Sequence, residues 1–282
     1  MNEKLIFLDI DGTLLIPGEM KIPESALDAI KRARANGHKV FLCTGRNYRM
    51  TSPLLELGCF DGYVCSAGGY VCCDGEVLVD IPMDKSQLDG LVKSLNEYGV
   101  ECTIETKNDT YGGIQMIDRY AVILKNMEGV SNSEAERWVN AMKFGMTIRP
   151  LEEYNGDPVY KIVYIAPGEK SLLKAKSLYE DQFVFCQYYA GTDPNSIING
   201  ELINRKFDKG TGIKAVCKKL GKPLDDTIGF GDSENDLQMT DVVGISVCMA
   251  NGSDSLKKHC DRICPAVTDD GIAKEFAALG LI

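Results

Sequence analysis

The feature that most limits how this chain can fold is a set of short apolar runs, each stopping abruptly at polar residues or glycine. "KLIFLDIDG" closes on Asp9, Asp11 and Gly12, "HKVFLCTGR" on Thr44, Gly45 and Arg46, and "DTIGFGD" on Asp232. Continuous apolar runs of this length are the pattern of strands buried on both faces of a parallel sheet. The segments between them have helical spacing. "PESALDAIKRARANG" sets Leu27, Ile30 and Ala33 on one face, with Pro23 at its start, Lys and Arg late, and Gly37 at its close. "MTSPLLELGC" predicts a short helix, and "DGYVCSAGGYVCC" a third strand that breaks at Gly68 and Gly69. Such strand–helix–strand alternation predicts a parallel α/β sheet.

The same alternation returns after about residue 205. "KGTGIKAVCKKLG" predicts a helix, "DTIGF" a strand, "SENDLQMTDVV" a helix start and "VGISVCMANG" a strand, while "DSLKKHCDRIC" and "DGIAKEFAALG" are helical at least in part. In between, the texture changes. Two amphipathic helices, "KSQLDGLVKSLNEYG" and "EKSLLKAKSLYEDQ", and a third at "SEAERWVNAMKFG" are interleaved with the strands "ECTIET", "YAVILK" and "PVYKIVYIA". This predicts an inserted α/β module of more antiparallel character, with Pro82 and "GTDP" (Gly191 to Pro194) as its hinges.

Composition narrows the function classes. A chain of 282 residues suits one large domain or two smaller ones. Its formal charge of −10 argues against a nucleic-acid binder. An anionic substrate would then need local cations: a metal ion and one or two placed Lys or Arg residues. The 11 cysteines are odd in number and sit mostly in apolar runs, as Cys43, Cys65 and Cys248 do, which is the usage of free thiols in a reducing compartment. Without a CxxC pair, and with only His38 and His259, there is no zinc pattern. No apolar stretch approaches the ~20 residues of a membrane span. The first strand begins almost at once, leaving no room for a signal peptide, so the expected location is cytoplasmic.

Four stretches carry chemical possibilities, and each has a plainer reading. Asp9 and Asp11 lie at a strand's carboxyl end, the edge where open parallel sheets bind ligands. At i and i+2 they could share a metal or divide nucleophilic and acid–base roles; a polar strand end or a calcium-type loop is the alternative. Thr44-Gly45-Arg46 suits a phosphate oxygen or, equally, a helix N-cap. "GFGDSENDLQM" gathers Asp232, Ser233, Asn235 and Asp236, a set of hard oxygen donors suited to Mg²⁺. Lys209, ahead of a glycine-containing helix, is either aimed at the same edge or simply solvated.

Taken together and in this order, "DIDGTL", "TGR", "KG" and "GDSENDLQM" resemble the motifs of the haloacid dehalogenase superfamily of phosphohydrolases, in particular its Cof-type branch. The tail "VCMANGSDSLKKHCDRICPAVTDDGIAKEF" resembles that family's closing strand and helix. The resemblance implies a Rossmann-like parallel-sheet core formed by residues 1–82 and 191–282, with an α/β cap domain at 83–190. The 165 positions from Thr44 to Lys209 leave room for that cap. It further implies Asp9 as the nucleophile that forms an aspartyl-phosphate, and Asp11 as the group that protonates the leaving oxygen and then activates water. Mg²⁺ would be held by Asp9, the Asp11 backbone carbonyl and Asp232, with Asp236 and Ser233 in support. Thr44, Gly45, Arg46, Lys209 and Asn235 would contact the phosphoryl group. One departure is Ala67, where the family often has asparagine.

The implied activity is a Mg²⁺-dependent phosphatase of small phosphorylated metabolites, sugar phosphates first, with nucleotides and with flavin or pyridoxal phosphates as rivals. A phosphomutase on the same fold and a catalytically silent regulatory protein are the alternatives. The intact set of Asp9, Asp11, Thr44, Lys209 and Asp232 favours the enzyme. The expected partner is the small-molecule substrate, with no nucleic acid or membrane, and the expected state a monomer or weak homodimer.

Overall fold

The computed structural model describes residues 2–113, 116, 147–189 and 197–282. They fall into two compact units, Met1–Asp80 with Phe207–Ile282, and Ile81–Lys206. Strands are numbered along the chain. The first unit holds β1 (Leu5–Leu8), β2 (Lys39–Cys43), β3 (Gly62–Cys65), β4 (Tyr70–Cys73) and β5 (Glu76–Asp80). The second holds β6 (Glu101–Thr106), β7 (Thr110–Gly112), β8 (Ile148–Arg149), β9 (Val159–Ala166), β10 (Phe183–Tyr189) and β11 (Ile198–Asn204). The chain then returns to the first unit for β12 (Thr227–Gly231), β13 (Ile245–Met249) and β14 (Arg262–Cys264).

The first sheet runs β14-β13-β12-β1-β2-β3-β4-β5, parallel from β14 through β3. This is the Rossmann-like arrangement expected, with β1 and β12 side by side at its centre. Every residue of β1 and β12 is buried, which explains their unbroken apolar runs. Phe7 and Phe41 stack with centroids 5.1 Å apart, and Val64, Val71, Ile213 and Met239 pack in the same core. Each such side chain contributes roughly 1.5–3 kcal/mol by leaving water.

The stretch "DGYVCSAGGYVCC", expected as one broken strand, is a hairpin. β3 and β4 pair antiparallel, and a tight turn at Ser66–Gly68 joins them. Ser66, Ala67 and Gly68 all have positive φ, at 50°, 54° and 105°. Three consecutive left-handed residues reverse the chain, which hydrophobic periodicity does not register. "DSLKKHCDRIC" likewise divides into a short helix, Asp254–His259, and β14.

The second unit has its own sheet, ordered β10-β11-β9-β6-β7-β8 and antiparallel except between β7 and β8. Cys102, Ile104, Ile162, Tyr164 and Leu202 on one face pack with Leu88, Leu91 and Leu95 of the helix Lys85–Glu97 and with Ala175 of the helix Leu173–Tyr179. The first helix starts at Asp84, whose carboxylate accepts from the Ser86 and Gln87 amides. Within "NDTYGG", Thr110–Gly112 forms the buried strand β7. β11 pairs with β9 and β10, so it belongs to this unit, and the chain re-enters the first unit at Phe207. "SEAERWVNAMKFG", "YAVILK" and "GTDP" lie outside the described residues. All eleven cysteines are free thiols, and no described helix is long and apolar enough to cross a membrane.

Candidate active site

Asp9 follows β1 directly, and its amide donates to the Phe230 carbonyl of β12 (2.9 Å). Pairing of the two central strands therefore sets the ends of "FLDI" and "GFGD" side by side. Lys209 reaches the same point as the first residue of the helix Lys209–Leu220. That helix is fixed by a capping box: the Thr211 amide donates to Asp208 Oδ1 (2.6 Å), and the Asp208 amide donates to Thr211 Oγ1 (2.8 Å). A lysine at a helix N-terminus opposes the helix dipole. Here two carboxylates offset it, because Nζ donates to Asp9 Oδ1 (2.7 Å) and Asp236 Oδ1 (2.5 Å), and more weakly to Asn235 Oδ1 (3.3 Å). Lys209 is 1% exposed, Asp9 4% and Asp236 not at all, so this is a buried ion cluster.

The acidic stretch after β12 is held by its own members. Asp236 Oδ2 accepts from the amides of Asp232 (2.9 Å) and Ser233 (3.2 Å), and the Ser233 hydroxyl donates to Asn235 Oδ1 (3.1 Å). Both oxygens of Asp236 are thus occupied, and it braces the loop. Asp232 projects against Gly12, where a Cβ would lie 2.4 Å from Asp232 Oδ2, and it accepts weakly from Thr13 Oγ1 (3.4 Å). Gly12 also has φ +80°, so close approach and backbone conformation both require glycine.

Carboxylate oxygens of Asp9, Asp232 and Asp236 lie within 4.8 Å of one another. Burial pushes the Asp9 carboxyl up to about 7, against the pull of Lys209 and with the repulsion of Asp236 and Asp11 added. Burial first, then the charges of Asp9 and Asp236, raises Asp232 well above the usual carboxylate range. Buried carboxylates short of counter-charge, offering only oxygen donors, fit a hard divalent cation. With Asp236 occupied, Asp9 and Asp232 are the side chains suited to ligate it.

Asp11 is not part of this cluster. Its carboxylate takes both arms of the Arg46 guanidinium, from Nε to Oδ2 (2.9 Å) and from Nη2 to Oδ1 (2.6 Å). The two aspartates thus lie on different cations, Asp9 on Lys209 and Asp11 on Arg46. Arg46, which the resemblance sets near the phosphoryl group, has its guanidinium on the Asp11 carboxylate in this structure. Thr44 is buried, and its Oγ1 accepts from the Arg46 amide (3.1 Å). The Thr44–Arg46 turn, with Gly45 at its centre, is tied to the β3–β4 turn: the Ser66 amide donates to the Arg46 carbonyl (2.8 Å) and the Ala67 amide to the Thr44 carbonyl (3.0 Å).

Asn251 was not singled out by its sequence. Its Nδ2 donates to the Gly12 carbonyl (2.7 Å) and its Oδ1 accepts from the Val267 amide (2.9 Å), linking the "DIDG" loop to the C-terminal segment. The next residues also seat the acidic loop, since the Ser253 amide donates to the Asp232 carbonyl (2.8 Å). The only signal was the Asn-Gly pair after β13, a turn signature that says nothing about what it touches.

The sequence matches the haloacid dehalogenase-like hydrolase family over residues 6–276. The chain belongs to that family. Among its relatives is the putative phosphatase YkrA of Bacillus subtilis, 27% identical over 282 residues and covering 100% of both chains. Another is the 5-amino-6-(5-phospho-D-ribitylamino)uracil phosphatase YitU of the same organism, 27% identical and covering 98% of each chain. Among solved structures, the subclass IIB sugar phosphatase BT4131 superposes with a TM-score of 0.77 at 22% identity, over 99% of this chain and 100% of that one, a likeness of fold.

Proposed function

We propose that the protein is a phosphoric monoester hydrolase that releases phosphate from small phosphorylated metabolites through an aspartyl-phosphate on Asp9. The observation that carries this reading is the placement of Asp9 beside Lys209, 2.7 Å away, with Asp232 at the neighbouring strand end. Phosphoryl transfer is governed by positioning and charge neutralisation, and these groups supply both. Lys209, Thr44, Gly45 and Asn235 hold the phosphoryl oxygens. A carboxylate oxygen of Asp9 attacks phosphorus as the bond to the leaving oxygen breaks, and Asp11 delivers a proton to that oxygen. Asp11 then takes a proton from water as the water oxygen attacks phosphorus and the bond to Asp9 breaks, releasing phosphate. Asp9, the Asp11 carbonyl and Asp232 would hold Mg²⁺, which supplies Lewis-acid neutralisation of phosphoryl charge.

The inserted unit, Ile81–Lys206, would choose among leaving groups. Sugar and polyol phosphates are the first class to test, a choice supported by the phosphoribityl arm in the name of the YitU substrate. Hydrolysis of p-nitrophenyl phosphate should vanish with excess EDTA and return with Mg²⁺. Rapid-quench trapping should detect acid-stable phosphoprotein in the wild type and none in Asp9→Asn. Phosphoprotein in that variant would assign the nucleophile elsewhere.

A further inference from the structure

We propose that Arg46 is a positioning residue: it fixes the orientation of the Asp11 carboxylate for proton transfer and does not bind the phosphoryl group. The inference rests on the reading of Asp11 as the acid–base group. Its basis is the paired contact of Arg46 Nε and Nη2 with the two oxygens of Asp11, at 2.9 and 2.6 Å. Two parallel bonds fix both the direction and the plane of a carboxylate, which a lysine's point charge does not do.

Arg46 is itself held from several sides. Its amide donates to Thr44 Oγ1, its carbonyl accepts from Ser66, and Nη1 approaches the Met50 carbonyl at 3.5 Å. The Arg46 side chain is 5% exposed, whereas that of Asp11 is 28% exposed. The deeper partner is therefore the anchor, and the partly open carboxylate is the group it aims. Asp11 lies just beyond β1, in a loop closed by backbone bonds: the Gly12 amide donates to the Leu15 carbonyl and the Leu14 amide to the Ile10 carbonyl. Moving the guanidinium onto a phosphate would break both of these bonds to Asp11. Lys209 already supplies a buried cation at Asp9, so the phosphoryl position does not require a second.

The test compares Arg46→Met and Arg46→Lys with wild type on glycerol phosphate, whose alkoxide needs protonation, and on p-nitrophenyl phosphate, whose leaving group needs little. General acid–base catalysis is worth ~10²–10⁴-fold, so misaiming Asp11 should lower the rate of phosphoenzyme formation from glycerol phosphate by at least ~10-fold. The loss on p-nitrophenyl phosphate should be several-fold smaller. Competitive inhibition by inorganic phosphate should stay within about threefold of wild type, since a group that does not touch phosphate leaves that ground-state binding alone. Arg46→Lys, which keeps the charge, should show the same leaving-group pattern and serves if Arg46→Met does not fold. In an Asp11→Asn background the arginine substitution should add no further leaving-group dependence.

Weaker phosphate inhibition by more than tenfold, with equal losses on both substrates and rescue by lysine, would identify a phosphate ligand and overturn the proposal. An additive effect in the Asp11→Asn background would also overturn it. Asp9→Asn separates the two levels of inference: turnover surviving in that variant refutes the hydrolase mechanism as a whole, whereas an inactive Asp9→Asn with a phosphate-binding defect in Arg46→Met refutes only the role given to Arg46.

Discussion

Among the described residues, each unit of the molecule buries a lysine between two carboxylates, and the two triads differ in what surrounds them. In the first unit Lys209 bridges Asp9 and Asp236. In the second, Lys161 lies on a sheet face between Glu201 (3.1 Å) and Glu105 (3.5 Å), itself 1% exposed. The Lys161 triad is built from residues of three adjacent strands, each paired to its neighbour, with a register shift just after Glu105. The Lys209 triad is built where strands end and helices begin, with Asp232 beside it. Burial and charge count are alike in the two. Position at a sheet's carboxyl edge, together with an adjoining carboxylate, is what distinguishes the cluster proposed to react from the one inside a sheet.

The largest expected effect is at Lys209. Lys209→Met should lower kcat by on the order of 10²–10³-fold or more, the loss typical of removing one charge-stabilising donor. The corresponding Lys161→Met should cost about 3–5 kcal/mol of stability by removing the cation between two buried carboxylates, while kcat per folded molecule changes less than about threefold. Urea denaturation paired with active-site titration measures both quantities. A kcat loss in Lys161→Met as deep as in Lys209→Met would erase the contrast between the triads.

The next effect is linked to pH. The Asp9 carboxyl is raised from 3.8 to about 7. Between those values the folded metal-free protein retains a proton that the unfolded chain has released, so this group lowers stability as pH rises through the window. A divalent cation binds the ionised form, so Mg²⁺ should raise the melting temperature more at pH 8 than at pH 5. At a hundredfold excess over Kd the ligand contributes about 2.7 kcal/mol, enough to shift the transition by several degrees. Thermal scans with and without Mg²⁺ at the two pH values measure it, and equal shifts would remove Asp9 from the metal site. No such pH-linked Mg²⁺ response is expected from the Lys161 triad, so the shift in Asp9→Asn should be smaller and less dependent on pH.

The smallest effect concerns strain, which also collects at the first unit's loop edge. Ala67 holds φ 54° and ψ 31°, a left-handed conformation that costs a non-glycine residue roughly 1–2 kcal/mol. Ala67→Gly should therefore stabilise the protein by about 1 kcal/mol, and Ala67→Asn by less, since asparagine tolerates this region best among residues with a side chain. A destabilised glycine variant would show that the Ala67 methyl contributes more through packing than the backbone loses through strain.

The core strands were legible because their residues are buried on both faces, and so was the acidic loop, because strand ends in a parallel sheet share one edge. The β3–β4 hairpin was not, since Ser66 and Ala67 take backbone angles that their side chains do not announce. β7 was hidden as well: a three-residue strand is too short for any period to show. Asn251 escaped notice because its partner, the Gly12 carbonyl, is 239 residues away.

The sequence by itself determined the order of the strands and helices of the core, the residue types at their ends, and through them the membership in a hydrolase family. Those properties are written locally, in periodicity and in short motifs. The tertiary structure alone decided which cation meets which carboxylate. Asp9 and Asp11 are two residues apart in the chain, yet one is held by Lys209 and the other by Arg46. The division arises because strand pairing and helix capping bring the two cations to the aspartates from different directions. Sequence separation carries no record of that approach.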